Sequence, residues 1–374
     1  MQIERVELFH LGLPLARPMP APGGELDRLE TVLVALHAGG TVGWGEASPG
    51  TAPLTGGEWA AGTFTLLRDW LAPQTVGARI DSAEALEERL GPFQGNRFAR
   101  GAIDAAWWDL RARREDKPLW QLLGGEREHV EVGGVLDRME SVDEFLATLR
   151  TMFDEGYARA KLMVYPGWDL RMVEAVRRDF ATERLHIDPA GSMTLGQMDT
   201  LYRMDDFMLE LIEQPLPADD LVGHAMVAEA IGTPVGLDES ITGVDRAAMA
   251  AELRSGRYVN LRADRVGGLT AAAAVHNQCR EAEIECFVGG VPQTSIGWRT
   301  AMALASLPGC TYPSDFWPND ESLAADIAPP LKAEPHGESG TLHVPLWSEP
   351  GLGAVPEADL LAQFTLDRAE FSSP

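Results

Sequence analysis

The sequence predicts an α/β fold whose larger part is a (β/α) barrel of the TIM type, and three observations carry that reading. Beyond Val130, short apolar, β-rich runs alternate with helix-length amphipathic stretches. The polar residues that head those runs recur at a near-constant step: Lys161 to Asp188 is 27 residues, Asp188 to Glu213 is 25, Glu213 to Asp238 is 25, and Asp238 to Arg262 is 24. A step of that size is one strand, one helix and two loops. The length of 374 residues accommodates a large barrel with an appended piece. A doubly wound open sheet is the competitor, but no GxGxxG follows the first run to support it.

Taken in order, the first 47 residues read as strands. Ile3 to Leu8 alternates, and the run 31–36 leads into the turn His37-Ala38-Gly39-Gly40, a pattern of an antiparallel hairpin or meander. Between them the Pro- and Gly-rich segment 17–24 favours an exposed loop, either a lid or a plain surface connection. From 57 to 114 the spacing turns helical, most clearly over 97–114, where Ala102, Ile103, Ala106, Trp107 and Leu110 form one core-facing stripe. Gly124-Gly125 closes this first part, so the domain boundaries fall at 1–127, 128–320 and 321–374. Barrel strands are expected at 130–135, 158–164, 184–188, 209–213, 234–238, 258–262 and 285–288, with an irregular eighth near 311–316. The last segment has one strand-like run, 341–344, and is expected to return to the N-terminal part.

Composition narrows the function. The chain carries 31 Lys and Arg against 57 Asp and Glu, a net charge of −26, which argues against a bulk nucleic-acid or anionic-membrane partner. Three cysteines without CxxC spacing indicate neither a disulfide framework nor a thiolate zinc site. No stretch approaches the roughly 20 apolar residues that cross a bilayer, so a soluble cytoplasmic protein is expected.

The chemistry gathers at the strand ends. Asp188, Glu213 and Asp238 each close an apolar run on three successive strands, at the barrel face where active sites lie. Three converging carboxylates repel one another unless a cation sits among them. An all-oxygen donor set suits Mg²⁺ or Mn²⁺ rather than Zn²⁺. One strand earlier, alternation puts Lys161, Met163 and Tyr165 on one side; one strand later, Arg262 and Asp264 share a side. Cations flanking a metal from opposite walls suit removal of a proton α to a carboxylate, with Lys161, Arg262 and Asp264 as the candidate catalytic set. Lys161 as a buried ion-pair partner of Asp188, and Arg262 as an ion-pair partner of Asp264, are the competing readings. His186 lies one layer below Asp188 and reads as a core histidine.

These residues resemble the enolase superfamily, in its muconate-lactonizing subgroup, and within it the N-acylamino acid racemase and o-succinylbenzoate synthase family. The resemblance rests on Gly43-Trp44-Gly45-Glu46, Gly95-Asn96-Arg97, Ala105-Ala106-Trp107-Trp108-Asp109, Pro118-Leu119-Trp120, Leu211-Ile212-Glu213-Gln214-Pro215, Leu237-Asp238-Glu239-Ser240 and Arg265-Val266-Gly267-Gly268. It implies an α+β capping domain built from both chain ends over a modified barrel, with Asp188, Glu213 and Asp238 as metal ligands. It also implies a small-molecule carboxylate substrate and, by fold-level analogy, a homo-oligomer. The catalytic positions depart from the resemblance. Met163 stands where the family's Lys-x-Lys motif has its second lysine, and Arg262 where the opposite lysine is expected. Val135 and Gln293 depart from the usual pocket serine and glutamate, and Asp188 is followed by Pro189-Ala190-Gly191 rather than Ala-Asn. A thioether is no base at neutral pH and a guanidinium is a poor one. The expected activity is therefore elimination, dehydration or isomerisation through a non-standard base set. The alternatives are a non-catalytic metal- and carboxylate-binding protein and an unmodified racemase or synthase of that family.

Overall fold

The structure, a computed structural model, describes residues 1–21, 24–54 and 56–373. Three strands, β1 (Arg5–Ala21), β2 (Gly24–Ala38) and β3 (Thr41–Ala47), form an antiparallel meander, and the C-terminal strand Thr365–Ser372 pairs with the free edge of β1. The apolar run of β2 is continuous because both its faces are covered. Val32, Val34 and Leu36 pack into a core with the helices of the cap, whereas Leu33 and Ala35 turn the other way into the core shared with the barrel.

The helix Arg97–Arg114 lies on β3 with its predicted stripe wholly buried. Gly43 and Gly45 make that approach close: a Cβ at Gly45 would stand 2.1 Å from the Ala102 carbonyl oxygen, and one at Gly43 2.3 Å from that of Ala106. Glu46 then ties the cap to the barrel. Its buried carboxylate accepts from Thr31 Oγ1 at 2.9 Å, Ser48 Oγ at 2.6 Å, Thr294 N at 3.0 Å and Gly297 N at 2.8 Å, the last two at the start of the helix Ser295–Ala305. Burial pushes this carboxyl up, and the donors from Ser48 and Thr294 oppose the rise.

Asp104 makes a second tie, accepting from Thr270 N at 3.1 Å and Thr270 Oγ1 at 2.5 Å at the start of the helix Leu269–Glu281. Burial pushes its carboxyl up to about 6, against the pull of those donors. A pKa raised by folding stabilises below the unfolded value and is lost as pH climbs through the folded one. At about 1.4 kcal/mol per unit, Asp104→Asn is expected to gain about 3 kcal/mol on the parent between pH 4 and 7. Urea unfolding followed by circular dichroism measures this, and a pH-independent difference between the two proteins would contradict it.

The barrel strands follow the sequence reading: β4 (His129–Leu136), β5 (Ala160–Met163), β6 (Leu185–Asp188), β7 (Leu211–Glu213), β8 (Val235–Leu237), β9 (Tyr258–Asn260), β10 (Glu285–Phe287) and β11 (Ser314–Asp315). They are parallel neighbours in chain order from β4 to β10. The short β11 pairs with β4 through Ser314 and Val132, and Asp315 N donates to the Val288 carbonyl just past β10 at 2.9 Å. The two edges of the parallel sheet therefore meet at β11.

One expectation is refined and one is corrected. The run Thr341–Pro345 is a strand, β13, but it pairs with β12 (Glu334–His336) and antiparallel with barrel strand β4, not with the cap. The return to the cap is made by Thr365–Ser372, which pattern reading misses because most of its side chains are exposed and charged residues interrupt it. Of the expected loop 17–24, the described residues 17–21 and Gly24 belong to the strands of the β1–β2 hairpin: Met19 pairs with Leu26, Pro20 with Glu25 and Ala21 with Gly24 beyond a register shift after Pro14. Pro22 and Gly23 lie outside the described residues. The three cysteines are buried and unpaired. No helix among the described residues is long and apolar enough to cross a membrane.

Candidate active site

Adjacent parallel strands bring the predicted acids to one rim. Met163 pairs in register with Asp188, Val135 with Lys161, and Glu213 with Gly236, two residues before Asp238. The chain turns sharply after two of the acids. Ala190 and Gln214 hold positive φ values of 48° and 39°, which cost a non-glycine residue of order 1 kcal/mol. The turn at Ala190 aims its N–H at Asp188 Oδ1, 2.8 Å away. Gln214 bridges strands, accepting from Asp238 N at 2.9 Å and Ser240 N at 3.1 Å while donating to the Leu216 carbonyl.

Lys161 is the hub. Its buried ammonium lies 2.9 Å from Asp315 Oδ2, 3.0 Å from Glu213 Oε2 and 3.2 Å from Asp188 Oδ2. Burial alone would lower its pKa, but the carboxylates of Asp315, Glu213 and Asp188 together hold it well above the ordinary lysine value. Glu213 also receives Asn260 Nδ2 at 2.6 Å and lies 2.7 Å from His186 Nε2. Burial opposes its ionisation, yet Lys161 and His186 keep its carboxyl below the usual range. Asp188 goes the other way, pushed up to about 8 by burial and by the charge of Glu213. His186 is fully buried against Phe287 and Tyr312, and burial lowers it to about 4, so it is the neutral core histidine the sequence suggested, with Nε2 facing Glu213.

Asp238 is drawn aside by the Arg265 guanidinium. Arg262 is bound by Asp264 in a two-point ion pair, Nε to Oδ1 at 3.2 Å and a terminal nitrogen to Oδ2 at 2.6 Å. Gln293 lines a small cavity beside that pair, with Val288, Gly297 and Thr300. Tyr165 stays apart in the loop after β5, its hydroxyl pushed up by burial and by Asp137, so it remains protonated. The structure thus unites Lys161, Asp188 and Glu213 in one network and sets Asp238, Arg262–Asp264 and Tyr165 around it. Sequence reading missed Asp315, Asn260, Arg265 and Gln214. Asp315 had a signal, as the one acid in the run assigned to the irregular eighth strand, and Asn260 alternates with Arg262.

The donors fit a hard divalent cation in kind: carboxylates from three successive strands, buried together. Lys161, Arg159 and Arg265 face five acids here, Asp188, Glu213, Asp238, Glu239 and Asp315, a surplus of negative charge that a divalent ion would offset. As the side chains stand, no three of the described His, Cys, Asp and Glu groups close around one point. Lys161 and Arg265 take the carboxylate oxygens instead.

A capping sheet made by both chain ends over a parallel barrel, with Asp, Glu and Asp on successive strand ends, defines the enolase class of barrel protein. The chain matches the mandelate racemase / muconate lactonizing enzyme N-terminal domain over residues 4–124 and the enolase C-terminal domain-like family over residues 144–360. It belongs to the enolase superfamily, in the muconate-lactonizing subgroup, and is like the N-acylamino acid racemases and o-succinylbenzoate synthases. It is 36% identical over 355 residues to an N-succinylamino acid racemase of Thermus thermophilus, covering 92% of this chain and 96% of that protein. It is 33% identical over 365 residues to an o-succinylbenzoate synthase of Bacillus subtilis, covering 97% of each. Among solved structures, an enolase superfamily member from Listeria innocua superposes with a TM-score of 0.93 at 28% identity, covering 100% of this chain and 99% of that one.

Proposed function

We propose that the chain is a divalent-metal-dependent enzyme that removes a proton α to a carboxylate with a base set of its own, catalysing elimination, dehydration or isomerisation. Asp188, Glu213 and Asp238 would hold Mg²⁺ or Mn²⁺, which when bound supplies positive charge to a carboxylate substrate as it becomes enolic. The reading rests on one observation: the two positions from which a lysine would work are Met163, alongside Asp188, and Arg262, clasped by Asp264. Neither side chain exchanges a proton near neutrality. Asp264 is the base on that face, since Arg262 and the Arg265 N–H fix its orientation while Oδ2, which takes one donor, keeps a lone pair to accept. Lys161, held protonated by its three carboxylates, supplies positive charge on the other face and neither removes nor returns a proton there. One-sided proton transfer follows, rather than two-sided racemisation. The relatives' names point to succinyl-bearing carboxylates as the substrate class.

The test is incubation with Mg²⁺ in D₂O with N-succinylamino acids, sugar acids and succinylbenzoate precursors. Deuterium at the α-carbon or product formation is expected for at least one compound, and is expected to fall by 10²-fold or more in Asp264→Asn. The ion pairs that occupy Lys161 and Asp238 favour a second reading, a non-catalytic metal- and carboxylate-binding protein. Metal binding without exchange or turnover across the panel would establish that reading instead.

A further inference from the structure

Three histidines and two glutamates gather on the sheet β12–β13–β4. His343 of β13 pairs across to Glu131 of β4 and to Glu334 of β12, and His129 and His336 each lie two residues along from those partners. Strand alternation therefore puts His129, Glu131, Glu334, His336 and His343 on one face, and β12 is exposed throughout. The His129 and His336 rings stack with centroids 3.9 Å apart, and His336 and His343 stand 5.1 Å apart at 58°. The other five histidines are engaged elsewhere: His10, His186, His224 and His276 are buried, and His37 is 2.6 Å from Glu7.

Two features give this cluster the character of a ligand set. His343 Nδ1 is 3.0 Å from the Thr341 carbonyl oxygen, which can only accept, so Nδ1 carries the proton and Nε2 keeps its lone pair free. Two imidazoles on one tetrahedral ion, with metal–nitrogen bonds of about 2.0–2.1 Å, have ring centroids about 5 Å apart. The His336–His343 pair already has that spacing.

We propose that His129, His336 and His343, with the carboxylate of Glu334, bind one divalent transition-metal ion of the Zn²⁺ or Ni²⁺ type and fasten the β12–β13 hairpin to the first barrel strand. The rings are stacked rather than converged as they stand, consistent with no three such groups closing around a point. Seating an ion requires the half-exposed His129 ring to turn out of its stack on His336, which leaves the His336–His343 spacing as it is. Imidazole donors prefer such ions to Mg²⁺, so this site and the carboxylate site select different metals.

The experiment titrates the full chain with Zn²⁺ alone by calorimetry, in buffer saturating in Mg²⁺ so that the carboxylate site is not read. One Zn²⁺ per chain is expected, and His336→Ala and His343→Ala are each expected to weaken it at least tenfold without changing the circular dichroism spectrum. Electron paramagnetic resonance of bound Cu²⁺ is expected to show imidazole nitrogen couplings that the double variant lacks. No Zn²⁺ uptake, or uptake of equal stoichiometry and affinity in the parent and the His336→Ala/His343→Ala protein, overturns the proposal.

Discussion

Replacing Lys161 with Met is expected to destabilise the protein by about 3–5 kcal/mol at neutral pH, the scale for removing one partner of a buried ion pair. The methionine keeps the volume of the side chain, so lost packing contributes little. What is lost is the cation between Asp188, Glu213 and Asp315, each buried and each within 3.2 Å of its ammonium. In the variant no cation stands between them: Arg159 is bound to Asp315 and Arg265 to Asp238, while Glu213 keeps the Asn260 amide and neutral His186 and Asp188 keeps the Ala190 N–H. Their folded-state pKa values then rise, so the sign is that of a raised carboxyl: the variant regains stability as pH falls and loses it as pH climbs. Denaturant unfolding at pH 5 and pH 8 measures this, with and without Mg²⁺. Mg²⁺ is expected to recover part of the loss at pH 8, because Asp188 and Glu213 would then share a divalent ion in place of the ammonium. A variant as stable as the parent at pH 8 would mean that Lys161 is not the counter-charge of these acids.

Much of this arrangement is legible in the sequence. The barrel strands announced themselves because parallel strands buried on both faces read as short apolar runs, and their spacing is set by a helix of fixed need. Asp188, Glu213 and Asp238 stood out because a carboxylate ending an apolar run has no reason to be there as packing. Partner choice was not legible. Nothing local to Asp238 shows that Arg265, 27 residues on, reaches back to it, since that contact depends on where a loop after the next strand turns. Asp315 was hidden for a related reason. Its strand is two residues long and carries no periodicity, so its part in holding Lys161 follows only from β11 seating beside β4. The C-terminal strand failed for the opposite reason: an edge strand with most side chains in water lacks the apolar alternation that marks a half-buried one. Gly43 and Gly45 are a middle case, plain in the sequence as a motif but explained only by the helix backbone that lies on them.

The double replacement Met163→Lys with Arg262→Lys is expected to raise α-proton exchange of an N-succinylamino acid by at least 10²-fold over the parent, measured as deuterium incorporation in D₂O with Mg²⁺. A well-placed general base contributes about 10²- to 10⁴-fold, and both positions have the geometry to host one. Residue 163 closes β5 directly beside Asp188, and residue 262 lies two positions past the end of β9, where Asn260 already reaches Glu213. A lysine at 163 would stand two residues from Lys161 on the same side of the strand, and two neighbouring ammonium groups lower each other's pKa toward the range where one is unprotonated. Arg262→Lys alone is expected to do less, because it breaks the two-point pair with Asp264 while leaving a thioether on the opposite face. Exchange in the double variant and not in either single one would show a pocket with room for a base on each face of the substrate. Metal binding with no exchange in the double variant would show instead that the walls around Val135, Tyr165 and Gln293 have been reshaped for a different carboxylate.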